Sequence, residues 1–314
     1  MAILSPRYLY NESRVWAGIP NSEEGSFVLW VTRISKGKGC CNEEVWKYIP
    51  QDKSSKPKNA DSDAKRHRSL DYYRIKNEKQ LKYALAMAGP VVVSFKIFKN
   101  FHYPKKGRIT MPSRAENSIG IHSVALIGYN NNKKEFKLKN SWGTEWGENG
   151  YGYLPYGYLD MYMMEAYNSK EKRPLNFLDK YKKQGLHGYI EICFGLSPGF
   201  PWVDVEHFIH IENLDTDTLI GWLHYSIKDN FVEIDDLCIV PEFQRKNWGS
   251  KLLFNLEEKC LKKHIKEIRM PVRYPDLITV NKQKIGRFLD KHKFYIQRYL
   301  DKFNIENWIA TKKL

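Results

Sequence analysis

A polar, proline-containing stretch, NSKEKRPLNFLDKYKKQ (168–184), divides the chain into two parts with different apolar patterns. Before it, aromatic and glycine-rich segments alternate apolar with polar residues, the pattern of half-buried antiparallel strands. After it, strand-like runs alternate with helical repeats, which points to a sheet covered by helices. One sheet cannot serve both patterns. Two domains are therefore expected in the 314 residues, over 1–167 and 187–314, with a linker over 168–186.

Composition narrows the class. Hydrophobic residues make up 42% and aromatic residues 14%, enough for buried cores and against global disorder. The net charge of +15 would suit anions, but the lysines run along the whole chain instead of clustering, so nucleic acid is not the expected partner. No apolar run reaches the roughly 18 residues that a membrane helix needs. The first residues, MAILSPRYLYNESRVWAGIP, lack a basic start followed by an apolar stretch, so no secretory signal is expected. The cysteines are odd in number (Cys40, Cys41, Cys193, Cys238 and Cys260) and form no CxxC. Neither disulfides nor a metal site is expected, and a reducing, cytoplasmic location follows.

In the first part, Asn77 is placed to cap a helix over 78–88, with Leu81, Leu85 and Ala88 on one face. Gly89-Pro90 ends it, and VVVSF (91–95) reads as a buried strand. Residues 53–68 read as a polar surface loop, and 120–158 as antiparallel strands, with tyrosines 151, 153, 156 and 158 packing on them. His122 opens one such strand and Asn140 follows another. A His and an Asn on neighbouring strand ends can act as base and orienter: the amide fixes the imidazole tautomer, and the imidazole takes a proton from a nucleophile.

The run GIHSVALIGYNNNKKEFKLKNSWGTEWGENGYGYL, together with LSPRYLYNESR (4–14) and YYRIKNEKQLKYALAMAGPVVVSF (72–95), resembles the His/Asn part of papain-like cysteine peptidases. The resemblance covers roughly 3–165 and implies that His122 is the general base, Asn140 its orienter and Trp142 a shield against water. Ile121 and Ser123 stand where the family more often has smaller residues. In that family the nucleophilic Cys lies about 130–150 residues before the His. Counting back from His122 passes Met1, and the expected Gln…CGSCW stretch is not in the sequence. Cys40 and Cys41 lie only about 80 residues upstream, in a context that matches a later surface segment of the family. The expectation is a papain-like portion lacking its nucleophile: a shortened copy, a degenerate peptide-binding module, or a partner to a chain that supplies the Cys helix.

The second part reads as strands near 188–194, 207–213, 218–227 and 231–240, then a helix over 249–263 with Leu252, Leu253, Leu256 and Cys260 inward. Strand 267–273, a helix over 282–292 and strands at 294–299 and 305–312 complete it. Between strand and helix lies PEFQRKNWGSKLL. A strand, a basic turn and a helix N-terminus make an anion cradle of unpaired amides, with Gly249 allowing close approach and Arg245 and Lys246 adding charge. EIDDLCIVPEFQRKNWGSKLL resembles the Q/R-x-x-G-x-G/A motif of GNAT acetyltransferases, with Asn247 in place of the first Gly. Asn tolerates left-handed backbone angles better than most residues. The likeness covers roughly 187–314. It implies that the amides of Gln244, Arg245, Lys246, Asn247, Trp248, Gly249 and Ser250 hold the pyrophosphate of acetyl-CoA. It also implies that the backbone of Leu237, Cys238 and Ile239 pairs with the pantetheine arm. Glu233 and Asp235 are the candidate bases and share one strand face unless a bulge intervenes. Leu289 stands where a Tyr general acid is expected, and neither Tyr295 nor Tyr299 fits the spacing.

The combined expectation is an α+β/α/β chain: a partial papain-like lobe of an antiparallel sheet plus helix, then a GNAT α/β acyltransferase fold. Acetyl-CoA is the expected acyl donor and a peptide or small-molecule amine the acceptor. The alternatives are a cysteine-type peptidase or a non-catalytic peptide-binding module.

Overall fold

A computed structural model of the chain describes residues 3–50, 52, 54–69, 71–170, 183–186, 190–196, 206–213, 218–272, 281–300 and 306–314. Most of the expected linker, 171–182, lies outside the described residues. Two compact units are present, and their division departs from the expected 1–167 and 187–314 split. One unit is Ser69–Glu171; the other joins Met1–Arg68 to Lys172–Leu314.

In Ser69–Glu171 the strands are β1 (Asp71–Arg74), β2 (Val91–Ile97), β3 (Gly120–Asn130), β4 (Glu135–Lys139), β5 (Tyr151–Pro155) and β6 (Met163–Lys170). They form one antiparallel sheet in the order β1-β6-β2-β3-β4-β5. Val91, Val93, Phe95 and Ile97 point inward from β2 by the strand period, and Phe95 meets Phe101 and Tyr158 edge to face, each at 5.7 Å. Tyr156 and Tyr158, expected on a strand, lie on a short helix, Tyr156–Tyr162, and are buried there. The helix Glu78–Met87 starts as expected, with Asn77 Oδ1 accepting the Gln80 N–H at 3.0 Å. Leu81 and Ala84 are its buried residues, whereas Ala88 is exposed.

The other unit holds an eight-stranded sheet, ordered β13-β14-β12-β11-β10-β9-β8-β7. Its strands are β7 (Lys183–Leu186), β8 (Ile190–Leu196), β9 (Glu206–Asn213), β10 (Thr218–Ile227), β11 (Val232–Ile239), β12 (Glu267–Val272), β13 (Tyr295–Leu300) and β14 (Glu306–Lys313). All pair antiparallel except β11 with β12. On one face, Leu252, Leu253, Leu256 and Cys260 of the helix Trp248–Lys262 pack on Ile209, Ile211, Leu223, Tyr225, Val232 and Ile234.

Two helices of the N-terminal segment cover the alternate residues of the same strands. Label them α1 (Pro6–Ala17) and α2 (Val28–Gly37). Local signals explain α1. Ser5 Oγ accepts the Tyr8 N–H, Pro6 opens the first turn, and Gly18 closes the helix at φ +69°. From α2, Arg33 Nη2 donates to Asp236 Oδ1 at 2.6 Å, both side chains being buried. Lys36 Nζ donates to His210 Nε2 at 3.0 Å and to His224 Nε2 at 3.1 Å. His210 lies between Ile209 and Ile211, and His224 between Leu223 and Tyr225, so α2 meets the sheet face turned away from Leu252. Residues 53–68, expected as a loop, contain the short helix Ala60–Ala64 with Ala60 and Ala64 buried.

Removing one member of a buried ion pair strands the other. Arg33→Met is therefore expected to destabilise this unit by about 3–5 kcal/mol. The double substitution Arg33→Met with Asp236→Leu should recover most of that loss, as read from urea denaturation midpoints.

Candidate functional site

Strands β11 and β12 pair only at Val232↔Ile268 and Glu233↔Arg269. Beyond them the two strands part. The edge of β11 from Ile234 onward faces a cavity of about 430 Å³ instead of a neighbouring strand. Met270, Pro271 and Val272 of β12 line it as well, and so do Phe243 to Arg245 and Asn247 to Ser250.

The latter residues form the basic turn. Arg245 and Asn247 both adopt left-handed angles, φ +61° and +64°, so the residue that replaces the motif's first glycine takes the angle a glycine would take. Asn247 makes no side-chain cap to the helix Trp248–Lys262; its Oδ1 accepts from Lys291 Nζ at 2.9 Å. Gln244 Nε2 donates to the Ile239 carbonyl at 3.1 Å and closes the turn. A Cβ on Gly249 would come within 3.2 Å of Phe288, so the close approach there is to a helix packed on the turn, Asn281–Lys291. The turn thus brings together a helix N-terminus with no side-chain cap and the cations of Arg245 and Lys291, both on the cavity wall.

Of the residues singled out in the sequence, Leu237, Cys238, Ile239, Gln244, Arg245, Asn247, Trp248, Gly249 and Ser250 line the cavity. Lys246 does not; its Nζ sits 5.6 Å over the Phe243 ring. The two candidate bases separate. The register of β10 with β11 slips between His224↔Asp236 and Tyr225↔Ile234, so Asp235 is a bulged residue. Asp235 lines the cavity and accepts from Ser226 Oγ at 2.5 Å, whereas Glu233 is outside the lining. Leu289 is buried, and Tyr295 and Tyr299 are exposed at 68% and 48%, outside the lining. Sequence reading missed Lys291 and the contribution of the N-terminal helices, which place Trp16, Trp30 and Arg33 on the wall.

In the other unit, His122 and Asn140 meet. His122 Nε2 donates to Asn140 Oδ1 at 2.8 Å. Ser141 N–H donates to the same oxygen at 2.8 Å, which fixes which amide atom faces the ring. With its proton on Nε2, the neutral imidazole has its lone pair on Nδ1. Trp142 lies 4.6 Å from the His122 ring and Phe101 5.5 Å. Burial pushes the His122 imidazole below its ordinary value, the Asn140 hydrogen bond opposes the shift, and His102 adds to it. Burial also pushes the Cys40 thiol up to about 12 and the Cys41 thiol up to about 11, far from a thiolate at neutral pH.

Residues 23–170 match the papain family of cysteine proteases, and residues 165–281 match the acetyltransferase (GNAT) family. One stretch of the chain is therefore similar to the papain family and the next to the GNAT family. It is 33% identical over 165 residues to the peptidase C1-like protein L477 of Acanthamoeba polyphaga mimivirus, covering 48% of this chain and 53% of that one. It is 32% identical over 124 residues to cathepsin K of Mus musculus, covering 38% of this chain and 37% of that one. The chain thus spans about half or less of the length of these relatives. Xylellain, a cysteine protease of Xylella fastidiosa, shares the fold of the papain-like part at a TM-score of 0.50 and 24% identity, covering 54% of this chain and 70% of that one.

Proton NMR titration is expected to place the His122 midpoint below the ordinary 6.5. Asn140→Ala removes the contact that raises it and should move the midpoint lower still.

Proposed function

We propose that the chain is an acetyl-CoA-dependent N-acetyltransferase acting on an amine, with a papain-like segment carried in the same chain. The observation that carries this reading is the parting of β11 from β12 above a helix N-terminus that no side chain caps. The amides of 245–250, with Arg245 and Lys291, would bind the donor's pyrophosphate; the Gln244 N–H already donates to the Pro241 carbonyl at 3.1 Å. The edge of β11 at Leu237–Ile239 would pair with its pantetheine amides as a further strand would. The bound donor supplies an activated thioester carbonyl. Asp235 then takes the proton from the attacking ammonium, so that the free amine reaches that carbonyl. Water or the departing thiol serves the remaining proton transfer, since no tyrosine named in the sequence lines the cavity. A cytoplasmic setting would supply the donor.

Acetyl-CoA at about 100 times its Kd is expected to stabilise the GNAT-containing unit by about 2.7 kcal/mol, seen as a rise in Tm. Lys291→Glu should weaken donor binding and shrink the rise, and no rise for the unaltered chain at millimolar donor would sink the reading. Asp235→Asn is expected to lower kcat by about 10²–10⁴-fold and to leave the donor's Kd unchanged.

A second reading rests on the His122–Asn140 hydrogen bond. The pair is arranged to deprotonate a thiol at Nδ1, and Cys40 and Cys41 are held as buried thiols in the other unit. A peptidase role would then draw its thiol from a segment beyond this sequence or from another chain. Peptide hydrolysis by the chain alone that His122→Ala abolishes and Cys40→Ser with Cys41→Ser leaves intact would overturn the need for such a partner. A non-catalytic peptide-binding role, in contrast, predicts peptide binding that survives His122→Ala.

A further inference from the structure

Ser250 stands in the first turn of the helix Trp248–Lys262 and lines the cavity. Its hydroxyl meets two side chains that follow each other in sequence. Lys291 Nζ donates to Ser250 Oγ at 3.2 Å and to Asn247 Oδ1 at 2.9 Å. His292 Nε2 lies 2.9 Å from the same Oγ. An ammonium has only protons to offer, so the hydroxyl accepts from Lys291. Its single proton then points at His292 Nε2, and the neutral ring keeps its own proton on Nδ1. Local packing holds this arrangement. His292 follows the helix Asn281–Lys291, and its backbone N–H donates to the Phe288 carbonyl at 3.1 Å. The Phe288 ring lies 4.5 Å from the imidazole, and it is the ring that a Cβ on Gly249 would meet. Among the described residues, the charged groups that face His292 are Lys291 beside it, Lys312 of β14 and Glu257 of the helix Trp248–Lys262. Lys312 and Glu257 pair with each other at 2.6 Å. Burial, and then the two lysines, hold the imidazole below its ordinary value, against the smaller pull of Glu257.

This arrangement conflicts with a bound phosphate. An ionised phosphate accepts hydrogen bonds and donates none. A pyrophosphate oxygen that reaches Ser250 takes the one proton the hydroxyl has. The lone pair on His292 Nε2 would then face the lone pairs of Oγ with nothing between them. Nε2 must gain a proton, either from Nδ1 of the same ring or from solvent. Charge favours solvent as the source. The ligand's negative charge offsets that of Lys291, which had opposed a charged ring, and a cation just past a helix C-terminus is favoured.

Resting on the acetyltransferase reading above, we propose that His292 is a positioning residue of the pyrophosphate site, which takes a solvent proton on Nε2 when the donor binds and then aims the Ser250 hydroxyl at the phosphate. The hydroxyl keeps its proton on Oγ and turns it to the ligand, the imidazolium Nε2–H donates to Oγ, and at most one proton is taken up per donor bound. The sign of the pH dependence follows. His292 of the free protein titrates below the ordinary 6.5, and with donor bound it titrates higher. Between those two values donor binding weakens as pH rises. Below both, the ring is charged with or without the donor, and above both it is neutral, so His292 adds no dependence there.

The test titrates the full chain with acetyl-CoA by calorimetry at pH 7 in two buffers of different ionisation enthalpy, which counts the protons taken up. The unaltered chain is expected to take up about 0.3 proton or more beyond His292→Gln, whose amide can still bond Ser250 but does not titrate. Between pH 6 and pH 8 its Kd should rise about 3-fold or more relative to that variant. The donor's own titrating groups meet both proteins alike and cancel in the comparison. Ser250→Ala keeps His292 and Lys291 but breaks the link between ring and phosphate, so it should lose the extra uptake too. That variant also keeps the test decisive should His292→Gln fail to fold. Extra uptake that persists in either variant overturns the proposal. So does tight binding with no extra uptake in the unaltered chain, the mark of a proton moved only from Nδ1 to Nε2; both outcomes leave the acetyltransferase reading intact. Absent acetyl-CoA binding by the unaltered chain overturns both.

Discussion

A β-strand inside a sheet normally has hydrogen-bonded neighbours on both edges, and β11 keeps its second neighbour for two residues only. Everything chemically distinctive in this unit follows from that parting. The open edge makes the cavity, and the strand then delivers the chain into the 244–250 turn on the cavity's wall. Neither strand can close the gap, because each is committed elsewhere: β11 to β10 through Ile239, and β12 to β14 along its whole length. The sheet remains continuous because β11 and β12 still pair at Val232 and Glu233.

The bulge at Asp235 acts on the same strand. A regular strand would put Glu233 and Asp235 on one face, whereas the extra residue breaks that equivalence and buries Asp235 and Asp236 side by side. Asp236 then pairs with Arg33 of α2, Asp235 accepts from Ser226, and both line the cavity.

Much of this was legible in the sequence. The strand–turn–helix of 231–262 and the inward face Leu252, Leu253, Leu256 and Cys260 follow from local pattern, and so does the start of the helix at Asn77. The His122–Asn140 pairing followed from likeness, and the structure adds the Ser141 N–H that fixes the amide. What escaped was set by long-range packing. Lys291 reaches the turn from 44 residues further on, and no local pattern marks it. Trp16, Trp30 and Arg33 were assigned by likeness to the papain-like part, although Ser5-Pro6 and Gly18 already marked α1. A bulge has no period to betray it, so the separation of Glu233 from Asp235 needed coordinates.

The Arg33–Asp236 contact joins residues 203 positions apart. At ribosomal speeds of about 5–20 residues per second, α2 emerges roughly 10–40 s before its anchor exists. During that interval the indoles of Trp16 and Trp30 and the cations of Arg33 and Lys36 have no sheet to cover them. These helices are thus seated only after the strand that anchors them has been made, and the nascent chain carries an adhesive amphipathic face until then.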